Sequence, residues 1–192
     1  MTKTLIVPGL DGSPQPHWQD WWVKTDPNAV LVDLSDPTRP DPSAWEAELA
    51  GMILHHPDAV VVAHSLGAVL VARLLHKYPQ VNLRAALLVA PAETLVCDRI
   101  AAFQPILERP LGIAATVVGS RNDPWMPFSR ARQLAARFQA DFVDLGFAGH
   151  VNVASGFGPW AYGKELRDEL IWRSSRKISA QAQRVTPFEQ RI

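Results

Sequence analysis

The stretch VAHSLG, residues 62–67, places a serine between an apolar run and a helix-like run. In a nucleophile elbow, written G-x-S-x-G, a serine on a sharp strand-to-helix turn exposes its hydroxyl for attack on a carbonyl carbon. Small residues are needed two positions before and two after the serine; Gly67 meets this need and Ala63 meets it with one extra methyl group. A serine that only caps the following helix is the alternative. Because strand, serine and helix follow in the required order, we predict that Ser65 is a nucleophile.

A serine hydroxyl needs a base, and the base needs an acid that orients it. Of the histidines, His150 is the predicted base, because it comes long after Ser65, directly after the last apolar run, in the glycine-bracketed loop 146–150. Asp123 is the predicted acid, because it lies in an Asn-Asp-Pro turn that follows the fifth apolar run. Asp98, which follows the fourth run, stays open as a rival because a triad requires geometry and not a particular strand.

Attack on a carbonyl places negative charge on its oxygen, and two backbone N–H groups usually receive that charge. We predict Leu66, the residue after the serine, as one donor. The second donor should come from the glycine-containing loop 8–13, with Leu10 as the first choice and Asp11 as the next. Asp11 is also a candidate pocket residue, and so is Trp125, two positions after the predicted acid.

The elements that would position these residues are six short apolar runs separated by helical patterns. The runs are apolar on successive residues and do not alternate, which is typical of a parallel sheet covered on both faces. We therefore predict an α/β protein with three layers, α/β/α, around a six-stranded, mainly parallel sheet. The predicted strands are 4–8, 29–34, 59–63, 85–89, 114–119 and 141–145, and the clearest later helices are 66–78, 129–139 and 162–176.

The starts and ends of several helices have their own signals. Pro42 suits a first helical turn, and Ser43 with Glu46 has the spacing of a capping box. Three tryptophans between positions 18 and 22 would share one face of a first helix and pack against the sheet.

Residues 1–176 are interpreted as a single domain, and residues 177–192, which are polar and aperiodic, as a tail or loosely docked extension.

Composition excludes several classes of partner. Nineteen basic residues balance nineteen acidic ones without a block of like charge, so we expect no nucleic acid and no membrane partner. A homo-oligomer is allowed but not indicated. The single cysteine, Cys97, cannot form an internal disulfide, which favours a reducing compartment and a cytoplasmic location. The histidines lack zinc-binding spacing and no nucleotide-binding fingerprint occurs, so we expect neither metal nor cofactor.

Five short motifs occur in a characteristic order along the chain. They are Pro-Gly-Leu at 8–10, His-Trp-Gln-Asp-Trp at 17–21, VAHSLG at 62–67, Ser-x-Asn-Asp-Pro at 120–124 and Gly-His-x-Asn at 149–152. Together they resemble the small serine hydrolases of the α/β-hydrolase superfamily typified by retinoblastoma-binding protein 9 and bacterial YdeN-type proteins. The resemblance covers about residues 5–172. It implies an α/β-hydrolase fold without a large lid domain, and a triad of Ser65, Asp123 and His150.

The predicted function is hydrolysis of a small carboxylic ester, thioester or amide through an acyl-enzyme intermediate. The partner would then be a small-molecule acyl substrate. A protein-interaction module that keeps the hydrolase fold with weak or no turnover is the alternative from a different class, since fold does not determine function. Acyl transfer to an alcohol other than water would use the same residues and also stays open.

Overall fold

Six strands form one parallel sheet in the computed structural model of the protein, which describes residues 2–185, with side chains through residue 176. The order across the sheet is β2-β1-β3-β4-β5-β6, and each neighbouring pair is parallel. The six-stranded sheet predicted from the apolar runs is thereby confirmed. The strands are β1 (Thr4–Val7), β2 (Ala29–Leu31), β3 (Ala59–His64), β4 (Leu83–Val89), β5 (Ala114–Gly119) and β6 (Asp141–Asp144).

Helices cover both faces of this sheet, as a three-layer fold requires. On one face Leu49, Leu70 and Leu134 belong to one buried cluster; on the other face Trp18 and Leu170 belong to a second. Both faces of the strands are therefore apolar, which is why the predicted runs do not alternate. The helices are α1 (Trp18–Thr25), α2 (Pro42–His55), α3 (Leu66–Lys77), α4 (Phe128–Phe138) and α5 (Ala161–Val185), with short 3-10 helices at Asp98–Phe103 and Val153–Ser155.

The edge strand β2 is shorter than the predicted run 29–34. It pairs with β1 and ends at Leu31. Val32 still donates its backbone N–H to the Ile6 carbonyl at 2.8 Å and is fully buried. The apolar run therefore marks burial correctly, but the chain leaves the sheet before the run ends.

Helix α2 begins with a different cap from the one predicted. Asp41 is the N-cap residue, and its carboxylate accepts the backbone N–H of Ala44 at 2.8 Å. The capping box predicted at 43–46 is wrong. Glu46 is buried and forms an ion pair with Arg73 of α3 at 3.0 Å, so its carboxylate joins two helices instead of capping one.

The last helix, α5, packs on the sheet through Leu166 and Leu170 and is longer than the predicted 162–176. Its backbone continues to Val185, so the first part of the proposed extension 177–192 is helical. Residues 186–192 of that extension lie outside the described residues, and the division of the chain at 176 stays a prediction. Within residues 2–185, neither this helix nor any other is long and apolar enough to cross a membrane.

Candidate active site

Ser65 lies on the abrupt turn between β3 and α3. Its backbone has φ 56° and ψ −121°, and a positive φ of this kind costs a residue with a side chain about 1–3 kcal/mol. The Ser65 N–H donates to the carbonyl of Val89 at 3.0 Å, which holds the turn against the neighbouring strand. Within the described residues the hydroxyl makes no capping hydrogen bond to α3, so the capping interpretation is wrong. Ala63 is fully buried in β3, where its methyl group is accommodated.

Two glycines allow three segments to meet at this turn. A Cβ atom on Gly67 would lie 2.3 Å from the carbonyl oxygen of Pro8 and 2.7 Å from that of Val7. A Cβ atom on Gly9 would lie 2.9 Å from the Cβ atom of Ser65. The first turn of α3 and the loop after β1 are thus in backbone contact, and that loop lies directly beside the serine.

A continuous chain of hydrogen bonds joins the three residues predicted as a triad. The Ser65 hydroxyl lies 2.8 Å from Nε2 of His150, and Nδ1 of His150 lies 2.9 and 3.0 Å from the two carboxylate oxygens of Asp123. The side chains of His150 and Asp123 are only 6% and 3% exposed. Since a carboxylate can only accept here, Nδ1 carries the proton and donates, which leaves Nε2 free to accept from the serine.

The rival acid, Asp98, lies elsewhere. It is exposed at the start of the 3-10 helix Asp98–Phe103, and in the described part of the chain it makes no hydrogen bond or ion pair with His150. The structure therefore brings Asp123, and not Asp98, to the histidine.

The histidine loop is fastened to the loop that carries the acid. The backbone N–H of Ala148 donates to the Ser120 hydroxyl at 3.0 Å, and the N–H of Gly149 donates to the Asn122 side chain at 2.8 Å. These two bonds explain the Ser-x-Asn pattern before the acid, whose role sequence reasoning does not reveal. They fix the position of the loop that carries His150 relative to the loop that carries Asp123.

Two backbone N–H groups remain available beside the serine. Neither Leu66, the first residue of α3, nor Leu10 donates its N–H to an acceptor among residues 2–185. The N–H of Asp11 instead donates to the carbonyl of Pro37 at 2.8 Å. The Asp11 carboxylate forms an ion pair with Arg99. The geometry therefore favours Leu10 over Asp11 as the second donor to an oxyanion.

A cavity of about 420 Å³ opens over the serine. Its wall is largely apolar and includes the side chain of Trp125, whose ring stacks on His150 with centroids 5.6 Å apart. Both pocket residues predicted from sequence, Trp125 and Asp11, line this cavity.

Two buried histidines, His17 and His64, extend the ring of His150 into a row of three. The centroid distances are 5.1 Å between His17 and His64, and 5.0 Å between His64 and His150. Nε2–H of His64 donates to the backbone carbonyl of His150 at 2.8 Å. From sequence, these two histidines are considered only as candidate bases, and their place in this row is missed. The sequence feature that could have indicated a role at the site is their position inside two of the five motifs.

Burial keeps these two histidines neutral. Together with a smaller contribution from nearby His150, burial lowers the pKa of His17 to about 4, while Asp20 opposes the change. Burial also lowers the pKa of His64 well below its ordinary value, again helped by His150. At neutral pH the two rings therefore add no positive charge beside His150.

This burial makes protein stability depend on pH. An unfolded histidine binds a proton below about pH 6.5, whereas His17 in the folded protein binds one only below about pH 4. Between these two values the unfolded state binds more protons, so the free energy of unfolding should fall as the pH is lowered from about 6.5 to about 4. His17 alone should account for a loss of about 2 kcal/mol between about pH 7.5 and about pH 5. Urea unfolding across this range measures the loss, and His17→Asn should reduce it. Equal pH slopes for both proteins would contradict the assignment.

Among the described residues, no three histidine, cysteine, aspartate or glutamate side chains are grouped as metal ligands would be. The expectation of neither metal nor cofactor stays a prediction.

A parallel sheet that presents a serine elbow, a carboxylate and a histidine at the carboxyl ends of its strands defines the class of α/β hydrolases. A solved YdeN-like hydrolase from Pectobacterium atrosepticum superimposes with a TM-score of 0.82 at 28% identity, over 91% of this chain and 92% of that one. Esterase 2 of Thermogutta terrifontis, solved phosphorylated by paraoxon, shares the fold with a TM-score of 0.65 at 19% identity, over 88% of this chain and 82% of that one.

The sequence comparisons narrow this class to a family. Hydrolase YdeN of Bacillus subtilis (strain 168) is 28% identical over 174 residues, which are 82% of this chain and 90% of YdeN. The profile of the family described as "Serine hydrolase" matches residues 4–169. The chain belongs to this serine hydrolase family, as the five motifs predict.

Proposed function

We propose that the protein hydrolyses small, uncharged carboxylic esters through an acyl-enzyme, with Ser65 as nucleophile, His150 as general base and acid, and Asp123 as the orienting acid. The observation that carries this proposal is the unbroken hydrogen-bond chain from the serine hydroxyl to the buried carboxylate. It is the arrangement that activates a serine in acyl transfer.

The reaction follows from the positions of the donors and acceptors. Ser65 Oγ attacks the carbonyl carbon while its proton moves to Nε2 of His150, and the N–H groups of Leu10 and Leu66 stabilise the oxyanion. His150 then gives this proton to the departing alcohol as the C–O bond breaks. Water next attacks the acyl-enzyme and loses a proton to His150, which returns it to Ser65 Oγ as the carboxylic acid leaves.

The character of the pocket supports an uncharged substrate. No lysine or arginine lines the cavity in the described part of the chain, and the Asp11 carboxylate at its wall is paired with Arg99. An anionic substrate would therefore find no counter-charge in the wall. Esters are placed before thioesters and amides because a protein of the same fold is an esterase. A cytoplasmic location, and the lack of nucleic-acid and membrane partners, stay predictions from composition.

Reaction with a fluorophosphonate tests the nucleophile, since the Thermogutta esterase is phosphorylated by paraoxon. Wild-type protein should be labelled, and Ser65→Ala should not, because only an activated serine attacks phosphorus at a useful rate. Ser129→Ala is the matched control, since Ser129 lies on α4, away from the cavity. Equal labelling of wild type and Ser65→Ala would refute the assignment.

Turnover separates hydrolysis from the alternatives. The labelled protein should hydrolyse short p-nitrophenyl esters. A protein that is labelled but turns over no ester, thioester or peptide would favour the protein-interaction module. Ester product formed in preference to acid when an alcohol is added would favour acyl transfer.

A further inference from the structure

His17, in the wall of the catalytic cavity, has a fixed proton arrangement. It is the N-cap of α1, and its Nδ1 accepts the backbone N–H of Gln19 at 3.2 Å. A ring nitrogen that accepts a hydrogen bond carries no proton, so the neutral imidazole of His17 bears its proton on Nε2. The residue is 6% exposed and lines the same cavity as Ser65 and His150.

The ring is held in place while its Nε2–H stays unused. Trp18 and His64 pack against it with centroid distances of 5.4 and 5.1 Å. Among residues 2–185, Nε2–H of His17 has no hydrogen-bond acceptor. This nitrogen is also not one of the buried side-chain atoms that lack both a partner and contact with solvent. Because the ring of His17 lines the cavity, a molecule bound there can accept this hydrogen bond.

The rest of the wall indicates what kind of molecule that would be. Apolar side chains form much of its surface, namely Leu10, Ile100, Trp125 and Val153. Burial lowers the pKa of His17 to about 4, so the donor is uncharged at neutral pH. A neutral donor in an apolar wall selects an uncharged oxygen acceptor, because a hydrocarbon in its place leaves the N–H unpaired.

We propose that His17 is a specificity-determining residue whose Nε2–H donates to an ether, hydroxyl or carbonyl oxygen of the substrate, away from the ester group that is cleaved. The preferred substrates are then oxygen-bearing esters and not plain alkyl esters. This inference rests on the proposed function and names the substrate class of the same site.

Matched ester pairs that differ by one oxygen test it. On the acyl side the pair is p-nitrophenyl pentanoate and p-nitrophenyl 3-methoxypropanoate; on the alcohol side it is butyl acetate and 2-methoxyethyl acetate. In each pair an ether oxygen replaces one methylene group. The measured quantity is kcat/KM of the oxygen-bearing ester divided by that of its hydrocarbon partner. Comparing this ratio between wild type and variants cancels the intrinsic reactivity of the esters.

Two variants separate the donor from the helix cap. His17→Phe removes both, whereas His17→Asn keeps a capping oxygen for Gln19 but is too short to present its N–H where Nε2–H lies. In at least one pair, both variants should lower the ratio about tenfold or more, which is the scale of leaving one buried donor unpaired. A ratio that stays at the wild-type value in both pairs for either variant would overturn the proposal.

The same measurements distinguish the two levels of inference. If wild type hydrolyses these esters and Ser65→Ala does not, the proposed function stands. If the kcat/KM ratios are then the same in the His17 variants as in wild type, the role of His17 is refuted. If wild type hydrolyses none of the esters, both are overturned. Thermal unfolding of the variants shows whether a change in ratio comes with loss of the fold, and His17→Asn should retain the fold because it retains the cap.

Discussion

Replacing His150 with alanine should lower kcat for ester hydrolysis by about 10⁵–10⁶, with a much smaller change in KM. The reason is that Nε2 of His150, 2.8 Å from the Ser65 hydroxyl, is the acceptor for the serine proton and the source of the proton for the leaving alcohol. Steady-state kinetics with p-nitrophenyl butyrate provide the measurement. His55→Ala is the control, since His55 is exposed at the end of α2.

The double variant Ser65→Ala/His150→Ala should be no slower than either single variant. Residues that act as one unit lose their whole contribution when one of them is removed, and the residual rate comes from binding and the oxyanion donors. If the two single losses multiplied in the double variant, Ser65 and His150 would act independently, and the mechanism proposed for them would be wrong.

Most of the proposed triad can be predicted from the order and local context of its residues in the sequence. Ser65 stands between a strand and a helix, Asp123 in a turn after a strand, and His150 in a loop after the last strand. In a parallel sheet all such positions lie at the same edge, so strand order need not be known to predict that they meet. The choice between Asp123 and Asp98 does need the structure, because both follow a strand.

The contacts that involve distant segments cannot be predicted in this way. Leu10 and Asp11 are neighbours in one loop, and the bond from Asp11 N–H to Pro37 distinguishes them. The cap of α2 is misassigned from sequence for a similar reason: Glu46 has the spacing of a capping residue, but its carboxylate turns to Arg73 on another helix. Local spacing narrows the candidates, and tertiary partners decide among them.

His17 shows a different limit. Its burial, its tautomer and its place in the cavity wall depend on the path of the loop after β1, which no local pattern describes. Sequence reasoning asks only whether a histidine could be the base, and His17 precedes the serine. A histidine inside a motif can instead bind substrate, and this role becomes visible only when the unused ring nitrogen has been located.

Replacing Asp123 with asparagine should reduce kcat by about 10⁴ while leaving the fold intact. Oδ1 of Asp123 accepts the backbone N–H of Trp125 at 2.8 Å, so the amide oxygen of the new side chain would keep that position. Its NH₂ group would then occupy the position of Oδ2, 3.0 Å from Nδ1 of His150. The amide oxygen would still lie 2.9 Å from Nδ1, but the NH₂ group would place a donor against Nδ1–H. This repulsion favours the tautomer that carries its proton on Nε2, and such an imidazole cannot accept the proton of Ser65. The rate of fluorophosphonate labelling and kcat for p-nitrophenyl butyrate should fall together.

Asp98→Asn is the matched control for this prediction, because it makes the same chemical change at an exposed carboxylate that also follows a strand. It should retain the wild-type kcat, since in the described part of the chain Asp98 makes no hydrogen bond or ion pair with His150. Full activity in Asp123→Asn together with a large loss in Asp98→Asn would transfer the role of the acid to Asp98. Such a result would require the loop after β4 to move toward His150, which would break the bond between Asp123 and Nδ1 that now holds the imidazole.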